Sequence, residues 1–359
     1  MVLFDGIVFS LQETGGISVL FSEIISRMPA FSYELMGFRE TPPAAIVGAK
    51  YSYHRPRALE RYRRARTRGA FDVFHSTYYR LPTTRSSKVV TTVYDFVYER
   101  FAPLHKRAIH GLQKRKAIAG SDRIICISES TRQDLLEFSG QTVGERAVVI
   151  PLGASESFHP LGDVAVLPQV LFVGKRAGYK NFTALVEALS TFRDFTLVCV
   201  GGGAFVPAEL DLLERRIPHR YRFAEYLSAP ELNLEYNRSL CLVYASLYEG
   251  FGIPILEAMR AGCAVIAVNR SAIPEVAGDA ALLVESGRPD EIRDAIQQVA
   301  VSATRNDMVS RGRDRAALFT WDETYRRTTA VYEELSGRRL AGERSRPATS
   351  DQGRHDTIR

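Results

Sequence analysis

The sequence predicts an α/β protein built from two doubly wound parallel sheets that face each other across a cleft. Three observations carry this reading. The chain has 359 residues, more than one ordinary core accommodates and enough for two domains of about 150 residues each. Short β-rich runs alternate with helical patterns, the signature of parallel βαβ units. A turn-rich stretch, Pro151-Leu152-Gly153 through His159-Pro160-Leu161-Gly162, interrupts the alternation and divides the chain into two similar halves. The predicted organisation is one Rossmann-like domain over 1–160, a second over 161–320, a last helix over 321–336 and a disordered tail over 337–359.

In the first half, Val2 to Phe9, Asp72 to His75, Val89 to Tyr94 and Arg123 to Ile127 read as strands. Between them, Ile17 to Met28, Lys106 to Ala119 and Ser130 to Phe138 carry helical periodicity. The second half restarts with the apolar run Val170 to Gly174, a helix from about Asn181, and the run Phe195 to Val200 ending in Gly201-Gly202-Gly203. Leu240 to Ala245, Ala264 to Val268 and Ala281 to Val284 read as further strands. The last helical pattern runs from Trp321 to Leu335, and the residues after Ser336 have almost no large apolar side chain, the composition of disorder.

Composition narrows the function classes. The chain has no run of 18 apolar residues, which excludes a membrane-spanning helix. Met1-Val2-Leu3-Phe4-Asp5 places an acid where a secretory leader places Lys or Arg, so a cytoplasmic protein is expected. Cys126, Cys199, Cys241 and Cys263 each sit in or beside an apolar run and read as small core residues. No Asp-x-Asp pair and no His/Cys/Asp cluster with metal-ligand spacing occurs, so no metal or other cofactor is expected. The net charge of +6 is modest, but Lys50, Arg55, Arg57, Arg61, Arg63, Arg64, Arg66 and Arg68 are opposed nearby only by Glu60. Residues 50–68 read either as a peripheral membrane contact at the inner face, as a surface for an acidic acceptor, or as a solvated helix face. They match no recognisable nucleic-acid-binding module, so nucleic acid is not expected as a partner.

The densest chemistry lies in Tyr248-Glu249-Gly250-Phe251-Gly252-Ile253-Pro254-Ile255-Leu256-Glu257. Pro254 suits the first turn of a helix, which makes Phe251, Gly252 and Ile253 a loop at that helix's positive end. Glu249 before the loop and Glu257 within the helix are paired acceptors suited to sugar hydroxyls. In the first half, Gln12-Glu13-Thr14-Gly15-Gly16-Ile17-Ser18 follows strand one and opens a helix, where Gly15 and Gly16 permit close approach of a phosphate or sugar.

With these residues the sequence resembles family 4 of the retaining GT-B glycosyltransferases, whose signature places two glutamates with seven residues between them around a Gly-Phe-Gly-Ile-Pro loop; the resemblance implies an acceptor-side domain over 1–160, a nucleotide-sugar-binding domain over 161–320 and a closing helix over 321–336 that crosses back to the first domain. The likeness extends to Leu152-Gly153, Phe158 and Pro160, Gly174 to Asn181, Val198 to Gly203, Pro274-Glu275-Val276, and Phe319-Thr320-Trp321 with Tyr332. The resemblance implies that Glu249 contacts donor-sugar hydroxyls and Glu257 holds the ribose, while amides of Phe251 to Ile253 serve sugar and diphosphate. It also implies that Lys180 and an Arg neutralise the departing diphosphate. Arg176 and Lys175 are both eligible for the second cation, Arg176 being preferred. Family members often carry His-Asp where this chain has Tyr94-Asp95, so either the Tyr94 hydroxyl or Asp95 takes over a sugar contact. His75 is either an acceptor-side residue or a core histidine. Nucleobase recognition falls near Arg222 to Leu227, where Glu225 matches the N–H groups of guanine.

The expected reaction is transfer of a hexosyl unit, mannose from GDP-mannose first, to a hydroxyl of a glycan, lipid-linked saccharide or small-molecule acceptor. It is metal-independent and proceeds by a front-face route. A noncatalytic nucleotide-sugar-binding subunit and a nucleotide-sugar epimerase are the alternatives.

Overall fold

The computed structural model describes residues 1–340 except 13–14, 44–45, 47, 49, 85–86 and 177. Most of the tail expected to be disordered, 341–359, therefore lies outside the described residues, as do Glu13 and Thr14 of the glycine loop.

Among the described residues the first sheet has seven parallel strands: β1 (Val2–Asp5), β2 (Tyr33–Gly37), β3 (Lys50–Tyr53), β4 (Val73–Ser76), β5 (Lys88–Val93), β6 (Arg123–Cys126) and β7 (Ala147–Val149), in the order β3-β2-β1-β4-β5-β6-β7. The second has six: β8 (Leu167–Val173), β9 (Thr196–Val200), β10 (Tyr221–Ala224), β11 (Ser239–Tyr244), β12 (Ala264–Val268) and β13 (Leu282–Val284), in the order β10-β9-β8-β11-β12-β13 and again parallel. Strand order reverses between β1 and β4 and between β8 and β11. Such switch points open crevices at the carboxyl ends of the strands.

Five helices position the site: α1 (Gly16–Arg27), α2 (Leu104–Ala119), α3 (Glu129–Ser139), α4 (Ile253–Ala261) and α5 (Trp321–Ser336). The helix α5 starts beyond the second sheet and packs on the first domain. Its Tyr332 meets Phe4 and His75 at ring-centroid distances of 6.0 and 5.6 Å, and Thr324 donates to the Pro151 carbonyl at 2.8 Å. Arg27 of α1 pairs with Asp322 at 2.8 Å. One continuous core, including Phe4, Phe21, Tyr94, Tyr248, Phe251 and Tyr332, runs through both domains, so the two halves share buried apolar surface.

The first strand is shorter than its apolar run. It ends at Asp5, and Val8–Leu11 forms a helical turn instead. Gly6 donates to Met36 O at 2.8 Å and Val8 N to Thr77 Oγ1 at 3.2 Å, so tertiary hydrogen bonds turn the chain where hydrophobicity alone would continue it. Strands β2, β3, β7 and β10 carry no clear alternation in sequence. The polar β3, for example, is an edge strand, with Lys50 paired to Glu34 of β2 at 2.7 Å.

All four cysteines are buried and free. Among the described residues no helix is long and apolar enough to cross a membrane.

Candidate active site

The second-domain side of the cleft is assembled at the β8/β11 switch point. The loop after β8 carries Lys180, and the loop after β11 carries Glu249. Leu247 N donates to Tyr179 O at 2.8 Å, which locks the two loops in register. Lys180 Nζ is ion-paired to Glu249 Oε1 and lies 5.3 Å from the Tyr244 ring centre. Both side chains are mostly shielded, which strengthens their attraction relative to a surface pair. The Glu249 amide donates to Ser271 Oγ at 2.7 Å, fixing the backbone from which the carboxylate projects.

Next in the chain, Phe251 and Gly252 lead into α4. Gly252 has φ 117°, a conformation open to glycine and strained for other residues, and from it the helix begins at Ile253 with Pro254 in its first turn. The unpaired amides at the start of a helix favour anions. Across the cleft Gly15 and Gly16 open α1, and a Cβ at Gly16 would lie 3.8 Å from Ile253 Cδ1. Two positive helix ends thus approach each other from opposite domains, an arrangement matched to a diphosphate. Glu257, a turn further along α4, accepts from the Tyr236 hydroxyl at 3.0 Å. Burial pushes its carboxyl up to about 7, partly opposed by that hydrogen bond.

The structure re-assigns several sequence-predicted residues. Tyr94 does not replace a sugar-contacting His: its ring is buried and its hydroxyl donates to Thr77 O at 2.8 Å, inside the first domain. What Tyr94 presents to the cleft is its carbonyl, which abuts Gly250. Asp95 accepts from Val97 N at 3.0 Å and lies beside Gly250. Burial raises its pKa against the pull of Lys114, whose ammonium donates to Asp95 O at 2.7 Å. His75 belongs to the core. Its ring nitrogens lie 2.5 Å from Tyr332 Oη and 2.9 Å from Thr92 Oγ1, and burial holds it neutral with a pKa of about 3.

Arg176, the preferred second cation, is committed elsewhere. It donates to Glu209 at 3.0 Å and to the carbonyls of Gly201, Gly203 and Ala204 at 2.9, 2.6 and 3.1 Å, with Phe205 beneath it at 4.6 Å. It organises the loop after β9 and would have to leave these partners to meet a diphosphate, whereas Lys175 is exposed. Glu225 is exposed just beyond the end of β10. The basic stretch 50–68 is not a helix face: it comprises β3 and a short turn at Glu60–Tyr62. Arg57 and the buried Arg80 hold the Glu60 carboxyl down to about 2 in spite of its burial, and Arg61 lies over Tyr62 and Tyr78.

Sequence reasoning missed the residues that lace the domains together beside Glu249. Ser128 and Thr131, at the start of α3, donate to Gly250 O at 2.7 and 3.1 Å. The Tyr248 hydroxyl donates to Asp134 of α3 at 2.5 Å and accepts from Phe96 N at 2.8 Å. Glu275 caps α3 from the other domain, accepting from Glu129 N at 2.8 and 2.9 Å and from Ser130 N at 3.2 Å. Each pair is separated by more than a hundred residues, so spacing carries no trace of it. The Tyr248 to Glu257 and Pro274-Glu275-Val276 segments marked partners on the second domain, but nothing marked those on the first.

Two family models match the chain in tandem: Glycosyltransferase Family 4 over residues 21–158 and Glycosyl transferases group 1 over 162–315. The chain is a family 4 glycosyltransferase of the GT-B fold. This glycosyltransferase is 26% identical over 285 residues to the O-antigen chain mannosyltransferase B of Escherichia coli, across 73% of this chain and 74% of that one. Among solved structures it is similar to the sucrose-phosphate synthase of Thermosynechococcus elongatus, with a TM-score of 0.77, 18% identity and coverage of 94% and 98%. It is also similar to Anabaena HepE in complex with UDP and glucose, with a TM-score of 0.72, 14% identity and coverage of 92% and 98%. At these identities the two structures establish the architecture of the glycosyltransferase, two parallel-sheet domains about a cleft.

Proposed function

We propose that this glycosyltransferase moves mannose from GDP-mannose to an acceptor hydroxyl with retention of anomeric configuration and without a metal ion. The observation that carries the reading is the shielded Lys180–Glu249 pair at the β8/β11 switch point, beside the start of α4. Glu249 accepts hydroxyls of the donor sugar, Glu257 accepts those of the ribose, and Lys180 with the two helix ends stabilises the charge that grows on the leaving diphosphate. Lys175, or Arg176 once released from the loop after β9, adds a second cation. In the front-face step the bond from the anomeric carbon to the β-phosphate oxygen breaks as the acceptor oxygen bonds to that carbon on the same face. The acceptor proton passes to the departing diphosphate.

Mannose is supported by the likeness to the O-antigen chain mannosyltransferase B, and guanine by Glu225, a carboxylate acceptor at the end of β10. A glycan or lipid-linked saccharide is the acceptor class.

Thermal stabilisation by GDP, UDP, ADP, dTDP and CMP in EDTA tests the reading, because a ligand at 100 times its Kd adds about 2.7 kcal/mol. A shift with GDP, followed by an α-linked product from GDP-α-mannose in an NMR assay, is expected. Stabilisation by UDP in place of GDP would overturn the donor, a β-linked product the stereochemistry, and a shift that appears only when Mg²⁺ is restored the metal independence.

A further inference from the structure

The helix α2 stands out for what it leaves uncovered. Its sequence, Leu-His-Lys-Arg-Ala-Ile-His-Gly-Leu-Gln-Lys-Arg-Lys-Ala-Ile-Ala, contains five Lys or Arg and no acid. Leu104, Ile109 and Leu112 are 81%, 55% and 49% exposed. Positions 109 and 112 share a helix face, as do 104 and 112, so these side chains form an outward stripe and not scattered exceptions. Arg107, Arg115 and Lys116 are exposed around them, whereas Lys114 turns inward to pair with Glu99 at 2.9 Å. Beside the helix, exposed Tyr62 has its ring centroid 6.0 Å from that of His110, exposed Leu59 lies three residues before Tyr62 in the chain, and exposed Phe101 lies three residues before the helix begins. Between α2 and the Tyr62–Arg64 segment lies a crevice of about 990 Å³, bordered by Ile109, Leu112, Lys116, Arg63 and Arg64. Acids close to this face are already spent: Glu60 on Arg57 and Arg80, Glu99 on Lys114, and Asp122 on Lys88.

We propose that α2, with the adjoining Leu59–Arg64 segment, is a docking face for an anionic lipid surface. Apolar side chains interleaved with unopposed cations suit the boundary between acyl chains and negatively charged headgroups, where hydrophobic burial and electrostatic attraction add. A contiguous outward apolar stripe is otherwise uncommon on a monomer. The charge complementarity selects a bilayer over an apolar partner. The placement gives the docking a purpose: Phe101, just before α2, stacks on Tyr179 at 5.4 Å and meets Tyr248 at 5.8 Å, both on the donor side of the cleft. A bilayer held by α2 therefore lies at the rim of the cleft, where a lipid-anchored acceptor hydroxyl reaches the donor. The inference does not depend on which nucleotide or sugar is used.

Co-sedimentation of the full chain with vesicles tests it. Binding to phosphatidylcholine vesicles containing phosphatidylglycerol, absent with phosphatidylcholine alone and weakened by salt, is expected. Ile109→Glu with Leu112→Glu should abolish binding, and Arg115→Glu with Lys116→Glu should weaken it by about fivefold or more for each cation lost. Leu210→Glu, an exposed apolar position on the second domain, should bind as the wild type does. Circular dichroism and the melting temperature establish that each variant is folded. Equal binding to both vesicle types, or unchanged binding by the folded Ile109→Glu/Leu112→Glu protein, overturns the proposal. So does a dimer in light scattering that disappears in that variant, since the stripe would then belong to a second copy.

Discussion

Gly250 packs directly against the backbone of Tyr94 in the first domain, and Gly250→Ala tests whether that approach sets the rate. A Cβ there would lie 2.9 Å from the Tyr94 carbonyl carbon, closer still to its oxygen, and 3.1 Å from Asp95 Cβ. The first two are backbone atoms, so no rotamer change relieves the overlap. Carbon atoms rest about 3.5–4.0 Å apart, so the domains must separate here by about 1 Å. Gly250 is not among the glycines with positive φ, so alanine adds no backbone strain and the effect isolates the contact. Separation strains the Ser128 and Thr131 hydrogen bonds to Gly250 O and shifts Glu249, the adjoining residue, relative to the first domain. A misplacement of about 1 Å costs on the order of 10²-fold in rate, so kcat should fall by about that factor. Nucleotide affinity should fall far less than kcat, because Lys180, Phe251 to Ile253 and Glu257 all belong to the second domain and only the start of α1 moves away with the first. Steady-state transfer rates at saturating donor, with calorimetric titration of the nucleoside diphosphate, separate the two quantities. A folded Gly250→Ala protein with wild-type kcat would refute the claim that this contact controls catalysis, and a collapse of nucleotide affinity would place the damage in the donor site instead.

Glu257 has a folded pKa of about 7, above its value in an unfolded chain, so its contribution to stability is present below about pH 4.5 and is lost as pH rises through 7. Glu257→Gln should therefore be more stable than wild type at pH 8 by about 2–3 kcal/mol yet bind nucleotide more weakly, and melting curves across pH with and without ligand check both. Lys180→Met should lower kcat by about 10² to 10³ by removing preorganised positive charge from the leaving group, measured as initial rate at saturating donor; a loss confined to KM would contradict that role. Glu275→Ala should free the first turn of α3 at a cost of about 1–2 kcal/mol and enlarge the radius of gyration in solution scattering, with Glu275→Gln intermediate because it retains one acceptor. Tyr332→Phe leaves the buried His75 ring without one partner and should destabilise the protein by about 1–3 kcal/mol, read as a lower urea midpoint.

Local chemistry made much of this protein legible in its sequence. Apolar runs such as Val170 to Val173 and Ala264 to Val268 become strands of a doubly buried parallel sheet because nothing polar interrupts them. The loop from Glu249 to Glu257 advertises its own geometry, since Pro254 starts a helix and Gly252 supplies the left-handed turn before it. Lys180 was legible through its motif, and the structure brings it to Glu249, 69 residues away in sequence. Tertiary structure alone decided which way side chains face. Tyr94 stands at the end of β5 as the sequence suggests, yet the Thr77 carbonyl draws its hydroxyl into the core. Arg176 sits in the expected loop, but three carbonyls beyond β9 and the Phe205 ring offer its guanidinium more than open solvent does. Helix and strand periodicities report only the nearest neighbours along the chain. The contacts that join the domains, from Glu275 to α3 and from Gly250 to Tyr94, depend on where two separately folded sheets meet, and hydrogen-bond and steric complementarity between distant residues leaves no periodic mark in either segment.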